Sequence, residues 1–320
     1  MLNNFLSSKT TDDLLSEPNT LAVLEFQQYS VDNAVPVKLS TLSSTKDEKG
    51  NVVEVWKSDS NIINSGINGN CRWRCSDEYL FIAIDLKCDI TDDLEKTSEQ
   101  AYQSVLQVIQ DSEYQKLLRF WNIIPRINVG DGDDENYKRF CNGRLSAFNQ
   151  FGITDTDYPA ASAVGHYGDG ITVYAIATKF NPVHIGNPRQ VDAYEYPRQY
   201  GPSSPSFARA TCLSIPDTGS QQLFFISGTA SILGHDTVHI DDLSGQLHTT
   251  NDNILYLLKE AGLKRDEIHS LRIYLRHPVD ADLTRKTVQG WYPNAQVIIT
   301  HADICRANLL VEIECFCISS

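Results

Sequence analysis

Two stretches of the chain carry one pattern in one order, and that repetition constrains the fold more than any single motif. In the first, a helical segment leads into LLRFWNIIPRI, a second helix covers 136–148, and strand-like ITVYAIAT closes the unit at 171–178. In the second, a helix over 250–261 leads into SLRIYLRHPVD, a helix follows over 280–289, and LLVEIECFCI ends the unit. The first helix rests on Leu94, Ala101, Val105, Val108 and Ile109, which recur at three- and four-residue steps; a break near 111–113 turns the segment into a strand. The loops between matching elements differ in length, as expected of a duplication whose copies have drifted. Setting Val173 against Val311 places Tyr174 and Ile176 where the second copy has Glu312 and Glu314.

Outside the repeat, LAVLEF (21–26), VVEVW (52–56) and YLFIAIDL (79–86) read as strands, separated by a polar loop over 40–51 and a turn at 67–71. The first 20 residues are polar and are expected to be mobile. YPRQYGPSSPSFARA (196–210) has the Pro, Ser and Gly content of a linker but also two arginines and three aromatics, and 227–245 reads as a loop after strand LFFIS.

Charge narrows the partners. With 27 Lys and Arg against 41 Asp and Glu, a net of −14, the chain is not built to attract nucleic acid or anionic lipid, so an anionic small ligand needs a local basic pocket. No apolar run approaches the roughly 20 residues of a membrane span, and MLNNFLSSKTTDDLL lacks the regions of a secretory leader, which places the expected location in the cytoplasm. The 8 cysteines are therefore expected as free thiols. Cys71 and Cys75 lack a second close pair to complete a zinc set, and His235 and His239 sit in a loop-like segment, so no metal is expected. Phosphate-loop, dinucleotide-fingerprint, nucleophile-elbow and zinc-protease motifs do not occur in the sequence.

Three groups remain as candidates for chemistry. Glu312 and Glu314 share one face of the closing strand, which is either a solvated outer face or the wall of an apolar cleft where burial would suit a carboxyl to acid work. Arg126, Arg139, Arg144, Arg189, Arg198 and Arg209 crowd segments rich in aromatics. Of these, Arg144 shares a helical face with Tyr137 and Cys141, and Arg209 lies among small residues where a guanidinium can grip a carboxylate. Gly228 in SGTAS permits a close backbone approach to a ligand.

RFWNIIPRINVGDGDDENYKRFCNGR, YPRQYGPSSPSFARA, FFISGTASILGH and ADICRANLLVEIE together resemble the chorismatase family from about residue 20 onward, and the second half separately resembles the Rid (YjgF-like) fold. The resemblance implies an α+β fold of two Rid-like halves, residues 1–200 and 201–320, with the active site between them and no cofactor. It implies chorismate as substrate, Glu312 as catalytic acid with Glu314 in reserve, and Cys305 steering the product. Tyr137, Arg144, Tyr200, Arg209, Gly228, Thr229 and Ala230 would bind substrate. One branch of the family hydrolyses the ether to a dihydroxycyclohexadiene carboxylate; others aromatise the ring to 3-hydroxybenzoate, sometimes with 4-hydroxybenzoate. Cys305 is similar to the aromatising branches. A binding protein without turnover and an imine-deaminating Rid enzyme are the competing expectations, and two halves in one chain fit a monomer.

Overall fold

Alternation within the strands decides how the layers stack. The computed structural model describes residues 1–26, 37–39, 42–43, 46–47, 50–89, 92–215 and 221–319, so part of the polar stretch 40–51 lies outside the described residues. The first half comprises β1 (Asn64–Asn68), β2 (Cys71–Cys75), β3 (Tyr79–Leu86), α1 (Leu94–Gln110), β4 (Lys116–Pro125), α2 (Asn136–Gln150), β5 (Ala160–His166) and β6 (Ile171–Thr178). The second comprises β7 (Val183–Ile185), β8 (Ala210–Ser214), β9 (Gln222–Ala230), α3 (Leu243–Glu260), β10 (Ile268–Leu275), α4 (Ala281–Trp291), β11 (Gln296–His301), β12 (Asp303–Ile304) and β13 (Val311–Ile318).

Each half builds a seven-stranded sheet. The first runs β12-β5-β4-β6-β3-β2-β1; the second runs β7-β8-β9-β13-β10-β11 and ends on Leu42–Ser43. The runs β5-β4-β6-β3-β2 and β11-β10-β13-β9-β8 are one topology, with the parallel pairs β4/β5 and β10/β11 each joined across a helix. This is the α+β pair of Rid-like halves that the repeat and the resemblance led us to expect. Register agrees as well: Arg119 pairs with Ile176 in one half and Arg272 with Glu314 in the other, which makes Ile176 and Glu314 equivalent positions.

Val311, Ile313, Cys315 and Cys317 pack with residues of α3 and α4, whereas Phe316 on the opposite face joins an inner cluster with Trp121, Tyr174 and Ile176 from the first sheet. Helices therefore lie outside and the two sheets meet face to face. Trp56, from a smaller sheet of Leu2–Ser7, Val53–Ser58, Thr20–Phe26 and Val37–Leu39, enters this interior with its ring centroid 5.2 Å from Phe316 and 5.7 Å from Trp121. Among the described residues no helix is long and apolar enough to cross a membrane.

Three expectations change. The N-terminal residues expected to be mobile form strand Leu2–Ser7 and helix Thr11–Ser16, because Leu2 and Leu14 supply buried anchors among the polar residues. The loop read from residue 227 is strand as far as Ala230. The helix expected at 250 begins at Leu243, where Asp242 caps it by accepting from Gly245 N at 3.0 Å.

Candidate active site

A cavity of about 690 Å³ opens where β9, β13, α2 and the 303–309 loop approach one another. Tyr137, Arg144, Tyr200, Arg209, Gly228, Ala230, Cys305 and Glu312 all line it. Thr229 does not, since its hydroxyl turns back to donate to Ser227 O at 2.8 Å. Glu314 also lies outside the cavity, held by groups between the sheets.

The position of Glu312 follows from a bulge. Ile226 pairs with Cys315 and Thr229 with Ile313, so Ser227 and Gly228 together face Glu314. The extra residue turns both groups toward the first half: Gly228 N donates to Ser162 Oγ at 2.9 Å, and Ser227 Oγ accepts from Ala161 N at 2.9 Å. Glu312 then lies directly against Gly228. A Cβ there would overlap Glu312 Oε1 and fall 2.7 Å from Cδ and 2.9 Å from Ser162 Oγ, so only glycine leaves space for the carboxyl.

The two glutamates on this face meet opposite electrostatic conditions. Glu314 accepts from Arg119 Nη2 at 2.8 Å, Trp121 Nε1 at 2.7 Å, Ser162 Oγ at 2.6 Å and Tyr274 Oη at 3.0 Å, with Arg272 Nη1 at 3.4 Å. Burial pushes its proton affinity up, but Arg272 and Arg119, with the bonds from Ser162 and Trp121, outweigh that and hold the carboxyl below its usual range. Arg272 is also paired with Glu54 at 2.7 Å. Two arginines thus face two carboxylates, a set that is neutral without Glu312. Burial first, and then the charge of Glu314, push Glu312 up to about 8 against the weaker pull of Arg119. Glu312 carries its proton at neutral pH.

The arginines divide the same way. Arg126, Arg139, Arg189 and Arg198 pair with Asp169, Asp93, Asp252 and Asp133 away from the cavity. Arg144 and Arg209 are 1% and 5% exposed, each has a buried Nε without a hydrogen-bond partner, and among the described residues neither has an ion-pair partner. Arg144 Nη2 reaches Cys141 Sγ at 3.8 Å, as their helical spacing suggested, and Arg209 Nη2 donates to Val191 O at 2.6 Å and Tyr196 Oη at 2.9 Å. Tyr200 Oη is committed to His235 O at 2.7 Å, which leaves its ring as the surface offered to the cavity.

Among the lining residues absent from the sequence-based set, Arg306 and Ser162 matter most to the geometry. Arg306 stacks on Tyr200, 4.1 Å from the ring centroid, and keeps a buried Nη2 without a partner; its place beside Cys305 was the available signal. Ser162 ties the Glu314 cluster to Gly228, but in AASAVG it reads as one small residue among others. Burial pushes the Cys305 thiol up to about 12, with Glu312 adding to the shift, so the thiol is neutral beside the acid. Among the described residues no three His, Cys, Asp or Glu side chains gather as a metal site.

Comparison with known proteins gives consistent matches. Residues 54–177 match the family described as Chorismatase FkbO/Hyg5-like, N-terminal. A 3-hydroxybenzoate synthase of Streptomyces hygroscopicus is 32% identical over 94% of this chain and 91% of that protein. A chorismatase of the same organism is 34% identical over 85% of this chain and 80% of its own length. A solved chorismatase structure superposes with a TM-score of 0.86 at 31% identity, covering 99% of this chain and 98% of that one.

Proposed function

Since the chain belongs to the chorismatase family, we propose that it converts chorismate to pyruvate and 3-hydroxybenzoate, with Glu312 donating the proton that starts the reaction. The observation that carries this reading is the meeting, around one cavity, of two buried guanidinium groups that have no ion-pair partner among the described residues with a buried carboxyl whose proton affinity is raised. Leaving charged groups so placed is costly unless a ligand completes them. Chorismate is a dianion with an acid-sensitive enol ether, and it answers both requirements.

Glu312 protonates the methylene carbon of the enolpyruvyl group, giving an oxocarbenium-like centre. The C4 hydroxyl oxygen displaces the ether oxygen from C3, which releases pyruvate and leaves an epoxide across C3 and C4. Its C4–O bond then opens and the proton on C3 is lost, so the ring becomes aromatic with its oxygen on C3. The two products contain every atom of chorismate, so no water is consumed on this path. Cys305, small and weakly polar, borders the acid and keeps water from the ring. Arg144 and Arg209 hold the carboxylates, and Tyr137 and Tyr200 flank the ligand.

Purified protein with chorismate and a chelator present tests the reading: pyruvate is released and chromatography finds 3-hydroxybenzoate as the main aromatic product. Cys305→Ala is expected to divert part of the flux to the dihydroxy acid while chorismate consumption persists. A wild type that yields only the dihydroxy acid belongs to hydrolysis instead, and saturable ligand binding without pyruvate release means a binding protein.

A further inference from the structure

The segment over 303–309 leaves the short strand β12 after Ile304 and carries Cys305 and Arg306 to the cavity as irregular chain, and such loops ordinarily leave their carbonyls to water. Here the carbonyls converge on one side chain from outside the cavity. Arg276, the residue after β10, donates through Nε to Leu309 O at 2.8 Å. Its Nη1 donates to Asp303 Oδ1 at 2.5 Å and Asn128 Oδ1 at 3.2 Å, and its Nη2 to Ile304 O at 3.1 Å and Arg306 O at 3.0 Å. A guanidinium has five N–H donors in a fixed plane, and all of them are engaged. The side chain is 12% exposed, so little water competes for these bonds.

The loop is fastened to the first half at the same place. Ile304 pairs with Val164 and Asp303 with Gly165, where a Cβ would fall 2.8 Å from that of Asp303, and Asn128 Nδ2 donates to Ile304 O at 3.0 Å. Arg276 thus clamps the loop on both sides of Cys305, through the carbonyls of Ile304 and Arg306, while touching neither the thiol nor the cavity.

We propose that Arg276 is a positioning residue that fixes the 303–309 loop so that Cys305 and Arg306 face the reacting ring, and so governs how product divides between aromatic and water-added forms. The division of product rests on the cavity being the chorismate site; the clamp itself rests only on geometry. Lysine cannot substitute, because three donors on a flexible stem cannot serve five acceptors in one plane.

Thiol labelling separates the two. With a small maleimide and mass spectrometry of each cysteine-containing peptide, Arg276→Lys is expected to label Cys305 at least about tenfold faster than wild type. The half-buried Cys212 is the internal control and keeps its rate. Asn128→Ala removes one bond to the loop and one acceptor of Arg276. It is expected to give a smaller acceleration, so the test survives if Arg276→Lys does not fold. Unchanged Cys305 labelling in the folded variants overturns the proposal. For product division, the Arg276→Lys/Cys305→Ala double variant is expected to match Cys305→Ala alone, and additive effects would show that Arg276 does not act through the thiol. A wild type that leaves chorismate intact sinks the reading of the cavity, while labelling still judges the clamp.

Discussion

Glu312 and Glu314 are two residues apart on one strand face and differ because guanidinium groups make direct contact with only Glu314. The active form of Glu312 is the protonated one, so kcat/KM is expected to fall as pH rises through about 8. Glu312→Gln is expected to lower kcat by at least about 10²-fold with little change in KM, since the amide keeps the shape and cannot give up a proton. Stability carries the same sign: a carboxyl whose folded pKa is raised penalises the native state once pH exceeds its unfolded value. The melting temperature of Glu312→Gln relative to wild type should therefore climb between pH 5 and pH 9, and a constant difference would show that Glu312 is not buried as an acid. The arginines are tested by binding. Arg144→Ala and Arg209→Ala are each expected to weaken chorismate binding by about 2–5 kcal/mol, read as KM, because each buried guanidinium has no ion-pair partner among the described residues and would meet a ligand carboxylate as a desolvated charge pair.

At the scale of elements, α2 delivers Tyr137 and Arg144 to the cavity, and its distance from α1 is set by Gly143. A Cβ at Gly143 would press on the carbonyl of Glu95 and lie 2.9 Å from Glu99 N. Gly143→Ala is expected to cost about 1–3 kcal/mol in urea unfolding and to raise KM, since α2 must move outward and take Arg144 with it. A loss of stability with unchanged KM would separate the helix contact from the site. The closing strand was legible because period-two alternation puts Val311 and Ile313 on the helix side and the glutamates on the other. The last residues of the strand before α3 were not. Its bulge uses Gly228, and glycine in sequence signals a break whether the chain turns or merely admits a neighbouring carboxyl. The start of α3 was hidden similarly, since the Ser244-Gly245 pair inside its first turn reads as loop until the Asp242 cap is seen. Arg306 went unselected because nothing local shows that its loop folds back over Tyr200.

For the molecule as a whole, the interior between the sheets binds three parts at once: Glu54 and Trp56 from the small sheet, Arg119 and Trp121 from the first half, and Arg272 and Glu314 from the second. Glu54→Ala strands the buried Arg272 with less counter-charge and is expected to cost about 3–5 kcal/mol. Because the parts share this interior, tryptophan fluorescence and circular dichroism should report one coincident transition; separate transitions would mean that the halves unfold independently. The matched register of Tyr174 with Glu312, and of Ile176 with Glu314, has a consequence for stoichiometry. Two identical subunits around an axis must repeat every residue, so an acid in one copy's closing strand returns in the other. Joined in tandem, the copies are free to disagree: Tyr174 lies flat on Trp121, their centroids 4.8 Å apart, and fills with aromatic surface the position where its counterpart holds the proposed acid, Glu312. Calorimetric titration with a non-reacting dicarboxylate should accordingly saturate at one ligand per polypeptide.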